Sequence, residues 1–182
     1  MSTAVVILAD GFEEIEAVTQ IDVLRRAGVE VTVAGLSGGS ARGAHGIEIA
    51  TEVLVSELDF EPDMVVLPGG LPGAVNLGDD PDVIELLRRQ HAAGRRIAAI
   101  CAAPAYAPVE AGVLEGKRAT CYPSFEKRFG PSTVAVEDRV VVDGTITTSR
   151  GPGTALELAL ELAEQLAGRA KADQLRAGML VK

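Results

Sequence analysis

Short apolar runs that end in turn residues are the main feature of the hydrophobic pattern. The clearest of these runs are Ala4–Ala9, Met64–Leu67 and Ile97–Ile100. Their length and bounding residues predict strands that are buried on both faces. Residues 13–27 are patterned as a helix that follows the first strand, and Glu30–Ala34 is predicted to be the next strand. This β-α-β order predicts a parallel sheet with right-handed crossovers.

The rest of the chain continues this alternation of strands and helices. Asp79 or Asp80 is predicted to cap a helix that has Pro81 in its first turn and runs to Ala93. The last long helix is predicted over residues 154–167 and a polar terminal helix after it. The remaining predictions are a loop at 37–46, strands at Ile47–Ala50, 118–120 and Val134–Val136, a turn or short helix at Val53–Leu58, a short helix at Ser124–Phe129, and a hairpin of Val140–Val142 with Ile146–Thr148. This order predicts one α/β domain over residues 1–182 with a doubly wound sheet.

Composition narrows the classes of function. The 182 residues carry 26 acids against 17 bases, and this net charge of −9 argues against a nucleic acid as the primary ligand. No apolar run approaches the roughly 18 residues that a membrane span needs, and the N-terminus lacks the basic start of a signal peptide. Two cysteines do not form a disulfide framework, so a reducing cytoplasm is the expected location.

Candidate chemistry begins at Cys101, which directly follows the strand Ile97–Ile100. In an open α/β sheet, ligands bind at the carboxyl ends of the strands. A helix-like segment is predicted from this point to Gly112, and its positive end would favour thiolate over thiol. Cysteine is also among the most buried residue types, so a small core residue is the alternative interpretation.

Glu16 is the strongest candidate partner for this thiol. On a helical wheel it shares a face with uncharged residues, whereas Glu14 falls near Asp22 and Arg25 on a face expected to be solvated. A carboxyl among uncharged neighbours has a raised pKa and can stay protonated, so it can donate a hydrogen bond to a thiolate or transfer a proton. Glu13 and Glu14 are expected to be surface acids that suit a helix N-terminus.

A second candidate group follows the strand Met64–Leu67. The sequence Pro68-Gly69-Gly70 allows the backbone to approach its neighbours closely, and its N–H groups, together with that of Ala102, are candidates for an oxyanion hole. Taken alone, a pair of glycines is more often a simple turn.

Histidine and metal chemistry is sparse in this chain. His91 lies among arginines and is expected to be solvated, whereas His45 lies in a glycine-rich loop and can reach a site in its own or a neighbouring subunit. No histidine follows Cys101, so a Cys-His-Asp triad is not indicated. Two cysteines and two histidines show no metal-ligand spacing, so no metal site is expected. Cys121 is expected to be a free thiol, with a resolving thiol for Cys101 as the alternative.

Six motifs occur in a specific order and spacing that covers nearly the whole chain. They are VVILADGFEEIEAV at 5–18, DVLRRAG at 22–28, VTVAGL at 31–36, DMVVLPGG at 63–70, AAICAAP at 98–104 and TSRGPGT at 148–154. In these motifs the sequence resembles the ThiJ/PfpI superfamily, specifically the branch of the Parkinsonism-associated protein deglycase and its bacterial relatives.

The resemblance implies a flavodoxin-like three-layer sandwich with a nucleophile elbow, assembled as a homodimer. It implies that Cys101 is the nucleophile, that Glu16 is its protonated partner, and that Gly70 and Ala102 are backbone donors. It further implies a cofactor-independent enzyme for small reactive carbonyls, by glyoxalase III-type conversion of methylglyoxal to lactate or by deglycase action. The alternative that it implies is an oxidative-stress sensor or redox chaperone that uses the sulfinic acid of Cys101.

Some positions depart from the pattern of the family. Tyr122 stands where some relatives carry a histidine near the nucleophile, and His45 stands where an arginine from the dimer partner is expected. The residue after Cys101 is Ala102 rather than the histidine of the protease-like branch, which argues against peptidase activity. Six further residues are candidates to line the site: Gly69, His45, Tyr122, Arg26, Ser149 and Pro152.

Overall fold

The structure, a computed structural model, describes residues 1–181 as a central sheet flanked by helices. Its strands are β1 (Thr3–Leu8), β2 (Glu30–Gly35), β3 (Ser40–Arg42), β4 (Glu48–Ala50), β5 (Val53–Leu54), β6 (Met64–Leu67), β7 (Arg96–Ile100), β8 (Arg118–Ala119), β9 (Val134–Ala135), β10 (Val140–Asp143) and β11 (Ile146–Ser149). Its helices are α1 (Glu14–Arg26), α2 (Gly73–Asp79), α3 (Pro81–Ala92), α4 (Ala107–Glu110), α5 (Ala155–Ala167) and α6 (Arg169–Gly178). Short 3-10 turns lie at Val55–Glu57, Ala103–Ala105, Phe125–Arg128 and Pro152–Thr154.

The topology of the main sheet determines where a site can form. Its strand order is β10-β11-β7-β6-β1-β2-β5, and neighbours pair in parallel except for the antiparallel β10–β11 hairpin. The parallel strands β1, β2, β6, β7 and β11 follow the 2-1-3-4-5 order of flavodoxin-like folds. The point at which this order reverses lies between β1 and β6, and ligands bind beside the carboxyl ends of the strands there.

Aliphatic side chains explain why β1, β6 and β7 occupy the centre of the sheet. Residues Ala4 to Leu8 of β1 and all of β6 are fully buried. Strands without polar positions are stable only when layers of structure cover both of their faces. Helices α1, α5 and α6 pack against one another, and α2, α3 and α4 form a second group. The predicted flavodoxin-like three-layer α/β sandwich is therefore confirmed.

Most of the predicted elements are present, with small shifts at their ends. The strand Met64–Leu67 and the β10–β11 hairpin are confirmed. Asp80 caps α3, because its carboxylate accepts the backbone N–H groups of Asp82 and Val83 at 3.0 Å each. The last long helix, predicted over 154–167, is α5.

Three stretches differ from the sequence-based expectation. The predicted loop at 37–46 contains β3, which pairs with β4 in a small hairpin of its own. The stretch Val53–Leu58, expected to be a turn or short helix, begins with β5 at the edge of the main sheet. Helix α2 was not predicted, because its two glycines lower the helix propensity of such a short segment.

Two observations bear on the environment of the protein. Within residues 1–181, no helix has both the length and the apolar character needed to cross a bilayer. Cys101 and Cys121 are both free thiols. The cytoplasmic location inferred from the composition stays a prediction.

The cap of α3 allows a direct test of how the sequence specifies this helix. We expect Asp80→Ala to lower the free energy of unfolding by about 1 kcal/mol, since two N–H groups of the first turn lose their acceptor. Urea denaturation monitored by circular dichroism measures this change. Asp79→Ala is the matched control, because Asp79 is exposed and makes no cap hydrogen bond to α3. Equal destabilisation by both substitutions would contradict the assignment of the cap.

Candidate active site

Cys101 lies at a sharp turn directly after β7. Its φ angle is 62°, in the left-handed region that a cysteine rarely adopts. Hydrogen bonds on both sides hold this conformation: the N–H of Cys101 donates to the Ser149 carbonyl at 2.9 Å, and its carbonyl accepts the N–H of Tyr122 at 2.8 Å. The side chain is thereby directed out of the strand at the carboxyl end of the sheet, where it is 9% exposed.

The helix expected after Cys101 is much shorter than predicted. The chain continues into the 3-10 turn Ala103–Ala105, and α4 begins only at Ala107 with four residues. So short a helix, starting six positions later, is a weak source of the dipole that was expected to stabilise a thiolate. The groups that lower the pKa of the Cys101 thiol are instead the backbone N–H groups of Ala102 and Gly70.

Glu16 is fully buried in the first turn of α1 and faces Cys101. Its Oε2 accepts the backbone N–H of Gly69 at 2.7 Å, and the Cys101 side chain packs against the same glycine. Its Oε1 has no N–H or O–H partner among residues 1–181. Burial of a carboxyl with one oxygen unpaired is unfavourable unless a proton is held there.

Gly69 permits this contact because it has no side chain. A Cβ atom at this position would lie 2.6 Å from Cys101 Cβ and 2.9 Å from Glu16 Oε2. The carbonyl of Gly69 also accepts the N–H of Glu13 at 2.9 Å, which ties the start of α1 to the turn after β6. The N–H of Gly69 therefore holds the Glu16 carboxyl, and the carbonyl of Gly69 holds the start of the helix that carries Glu16.

The pKa values of the pair are shifted in the same direction. Burial raises the pKa of Glu16 to about 7, against the lowering effect of the Gly69 N–H and of Cys101, and the Glu13 carboxylate raises it further. Burial, together with an ionised Glu16, raises the pKa of the Cys101 thiol to about 12, although the N–H groups of Ala102 and Gly70 lower it. The sequence-based expectation that the thiolate is favoured is therefore wrong, because burial, the largest effect, raises the pKa of the thiol.

A cavity of about 340 Å³ opens above Cys101. Its lining residues are Glu13, Ala44, His45, Gly70, Leu71, Cys101, Ala102, Tyr122, Phe125 and Pro152. The structure thus brings three of the expected lining residues, His45, Tyr122 and Pro152, to the thiol. Phe125 and Leu71 were not predicted, since an apolar residue in a short turn carries no sequence signal for a site.

Two expected lining residues lie elsewhere. Arg26 is at the opposite end of α1 from Glu16, about 15 Å away along the helix axis, and its Nε bonds the Asp22 carboxylate at 2.7 Å. Ser149 is fully buried beneath the site, where its hydroxyl donates to the Arg139 carbonyl at 2.7 Å and its own carbonyl holds Cys101. Arg26 is therefore not part of the cavity, and Ser149 supports the backbone of Cys101.

Cys121 faces a different cavity from Cys101. It lines a space of about 270 Å³ together with Arg150 and Glu126, among other residues. Burial raises the pKa of its thiol to about 12, with Glu126 adding to the effect and Arg150 opposing it. The two thiols are free and do not share a cavity.

Glu14 is buried rather than solvated, contrary to the expectation from the helical wheel. Its side chain bonds the loop that carries His45, and Glu14 Oε2 lies 2.8 Å from His45 Nδ1. Glu13 Oε2 is 3.6 Å from the same nitrogen. The sequence pattern does not predict this cluster, because its members come from two segments about thirty positions apart. Glu14 and His45 form a hydrogen-bonded pair in this structure.

Comparison with known proteins adds the family context. The sequence profile of the DJ-1/PfpI family matches residues 2–165. Protein dj-1beta of Drosophila melanogaster is 46% identical over 182 residues, which cover 98% of this chain and 97% of the relative. The crystal structure of that protein superposes with a TM-score of 0.96, at 45% identity and with 100% of both chains covered. Glutathione-independent glyoxalase DJR-1.2 of Caenorhabditis elegans is 35% identical over 176 residues, covering 96% of this chain and 93% of the relative.

Other relatives extend this picture. The structure of oxidized DJ-1 from Toxoplasma gondii superposes with a TM-score of 0.94 at 38% identity, covering 99% of this chain and 98% of the other. Protein DJ-1 homolog B of Arabidopsis thaliana is 44% identical, and this chain spans 40% of its length. The resemblance found in the six sequence motifs is confirmed, and the chain belongs to the DJ-1/PfpI family.

Proposed function

We propose that this protein is a cofactor-independent cysteine enzyme that converts small reactive carbonyls, with methylglyoxal to lactate as its glyoxalase III-type reaction. The observation that carries the proposal is the fully buried Glu16 carboxyl packed with Cys101 against Gly69, at a cavity that Gly70 and Ala102 also line. A relative in Caenorhabditis elegans is a glutathione-independent glyoxalase, which supports the same class of substrate.

The shared proton of the pair explains how a thiol of high pKa becomes a nucleophile. Around neutral pH Glu16 begins to lose its proton while Cys101 keeps its own, so the two groups titrate as one unit. When the sulfur attacks the aldehyde carbon, the thiol proton passes to Glu16 and no net charge is created on the pair. Glu16 then returns this proton to the new alkoxide, which completes the hemithioacetal.

The remaining steps are an internal redox reaction and a hydrolysis. The alkoxide formed in the attack lies where the N–H groups of Gly70 and Ala102 can stabilise it. Transfer of the carbon-bound proton from C1 to C2, together with transfer of the hydroxyl proton from the C1 oxygen to the C2 oxygen, turns the hemithioacetal into a thioester, so C1 is oxidised as C2 is reduced. Water then cleaves the thioester and releases lactate and the Cys101 thiol. The balance is methylglyoxal plus water to lactate, and no external electron acceptor takes part.

Deglycase action is the related reaction that the family resemblance implies. It starts with attack of Cys101 on the carbonyl-derived carbon of an adduct with an amine, which then leaves. Both reactions need the same nucleophile, the same proton carrier and the same oxyanion donors. The homodimer that the resemblance implies also stays a prediction, and analytical ultracentrifugation decides it.

Turnover of methylglyoxal tests the proposed function directly. We expect lactate formation without glutathione or nucleotide and in the presence of EDTA, and we expect Cys101→Ser to reduce it to background. A serine hydroxyl has a far higher pKa than a thiol, so Glu16 cannot activate it in the same way. Cys121→Ser is the matched control, because that buried thiol lines another cavity and should leave turnover unchanged. Turnover that survives Cys101→Ser would contradict the proposal.

The raised pKa of Glu16 predicts a pH-dependent stability. The folded protein binds this proton with a pKa of about 7, against an unfolded value near 4.3. The resulting stabilisation is fully present below the unfolded pKa and is lost as pH rises through the folded one. From that shift we expect Glu16→Gln, which stays neutral, to gain up to about 3 kcal/mol relative to the native protein between pH 4 and 8.

Denaturant titrations at several pH values measure this difference. Glu85→Gln, an exposed acid on α3, serves as the control and should show a constant difference. A Glu16→Gln difference that does not change with pH would show that Glu16 titrates normally in the folded protein.

A second candidate function is redox sensing through a sulfinic acid at Cys101. The observation that favours it is the buried Oε1 of Glu16, which has no N–H or O–H partner within residues 1–181 and, when protonated, can donate to a sulfinate oxygen. The oxidized Toxoplasma gondii DJ-1 structure is that of a relative with the same fold. The backbone N–H groups of Gly70 and Ala102, which would stabilise an alkoxide in the enzyme reaction, can also donate hydrogen bonds to a sulfinate.

Mass spectrometry after mild peroxide treatment tests this second function. We expect Cys101 to gain two oxygen atoms and to stop there, while Cys121 in the same chain remains a thiol. With Glu16→Gln we expect a larger share of the three-oxygen sulfonic acid, because the carboxylic proton that holds the sulfinate is gone. A Cys101 that stays reduced under these conditions would contradict a sensor role.

A further inference from the structure

Glu14 fixes the loop that carries His45. Its carboxyl is 5% exposed; Oε1 accepts the backbone N–H of His45 at 2.6 Å and that of Ile47 at 3.4 Å. A side chain at Gly43 would occupy the space that the Glu14 carboxyl fills. The loop is also joined to the start of α1 by the Ala44 N–H, which donates to the Phe12 carbonyl at 2.8 Å. His45 is therefore held in place although its side chain is 70% exposed.

The same carboxylate sets the tautomer of the imidazole. Although burial raises the pKa of Glu14, the hydrogen bonds from the His45 ring and from the N–H groups of His45 and Ile47 lower it by more. An ionised Glu14 requires that Nδ1 of His45 carry a proton, at the 2.8 Å separation observed. In the neutral ring, Nε2 is then the atom with a lone pair. Nε2 makes no hydrogen bond within the part of the chain that the structure describes.

His45 lies on the wall of the cavity that contains Cys101. The ionisable groups that face it are Glu13 and Glu14 from α1, and Cys101 and Tyr122 across the cavity. The hydrogen bond to Glu14 raises the pKa of His45, and the charges of Glu13 and Glu14 add to this effect. An imidazole can both accept and donate a proton, as general acid–base catalysis requires.

The proposed reaction needs a group that moves a proton from C1 to C2 of the bound carbonyl. Glu16 is fully buried, is held by the Gly69 N–H and does not line the cavity, whereas His45 does. We propose that His45, positioned by Glu14, is this group: its Nε2 removes the C1 proton of the hemithioacetal and returns it to C2. The hydroxyl proton passes from the C1 oxygen to the C2 oxygen in the same rearrangement, so no proton is lost from the substrate overall and the thioester of lactate on Cys101 is the product. This role rests on the glyoxalase III-type function proposed above.

The kinetic test separates His45 from the attack step. We expect His45→Gln and His45→Ala to lower kcat for methylglyoxal about 100-fold with little change in KM. Substrate that carries deuterium at C1 should show a larger kinetic isotope effect in these variants, since proton removal becomes rate-limiting. Added imidazole should restore part of the activity of His45→Ala, because the lost base is supplied from solution. His91→Gln, on the exposed surface of α3, is the matched control and should be unchanged.

The positioning role of Glu14 has its own readout. Nitrogen NMR of the His45 ring should show a proton on Nδ1 and a pKa above 6.5 in the native protein. In Glu14→Gln we expect a mixture of tautomers, a lower His45 pKa and a kcat reduced by about tenfold. A general loss of folding would not produce this pattern, and circular dichroism excludes it independently.

Three results decide between the proposals. Turnover by His45→Gln equal to that of the native enzyme would overturn the role of His45 and leave the proposed function standing. A loss seen with Glu13→Gln but with neither His45 variant would assign the step to Glu13 and likewise overturn it. Absence of turnover in the native enzyme would overturn the proposed function and, with it, this step.

Discussion

The structure of the site depends on one close contact, in which Glu16 and Cys101 pack against Gly69. They lie so near to it that this position has no room for a side chain. The β6 turn, the α1 helix and the β7 turn come from distant parts of the sequence, and they meet at this point. A methyl group here would overlap Cys101 Cβ and push the two reactive side chains apart. The hydrophobic sandwich places the three strand ends side by side, and the missing Cβ lets their functional groups touch.

The acidic residues in the first turn of α1 have different roles because their side chains point in different directions. Residues two positions apart on a helix are rotated by about 200°, so Glu14 and Glu16 leave the helix on opposite sides. Glu16 enters the interior and meets the thiol, whereas Glu14 turns to the loop of His45. Both are buried, and each is stabilised by backbone N–H groups of a neighbouring segment. The acids at the start of this helix therefore do more than interact favourably with the helix dipole. They hold neighbouring segments of the chain in place around the candidate site.

Sequence reasoning was strongest where burial alone decides the structure. The apolar runs of β1, β6 and β7 have only one stable environment, and the uncharged face around Glu16 identified a buried carboxyl. It failed where a polar residue is buried by a partner from another segment. Glu14 looks solvated on a helical wheel, because the wheel does not include the 43–47 loop that covers it. The thiol pKa was misjudged for a related reason: it depends on the desolvation and charge that Glu16 brings to it.

The contact between Glu16 and Cys101 also limits the kind of reaction that the site can perform. Because the proton rests on sulfur while Glu16 is ionised, attack is favourable only if negative charge moves at once to an oxygen near Gly70 and Ala102. An aldehyde supplies such an oxygen, and so does a peroxide, which explains how one geometry supports two proposals. The two reactions diverge after attack. A carbonyl substrate then needs a base to break a C–H bond, whereas peroxide loses its leaving group without one. The Glu14–His45 pair would serve the first reaction and be unnecessary for the second, so the burial of Glu14 and its hydrogen bonds to the His45 loop favour carbonyl turnover.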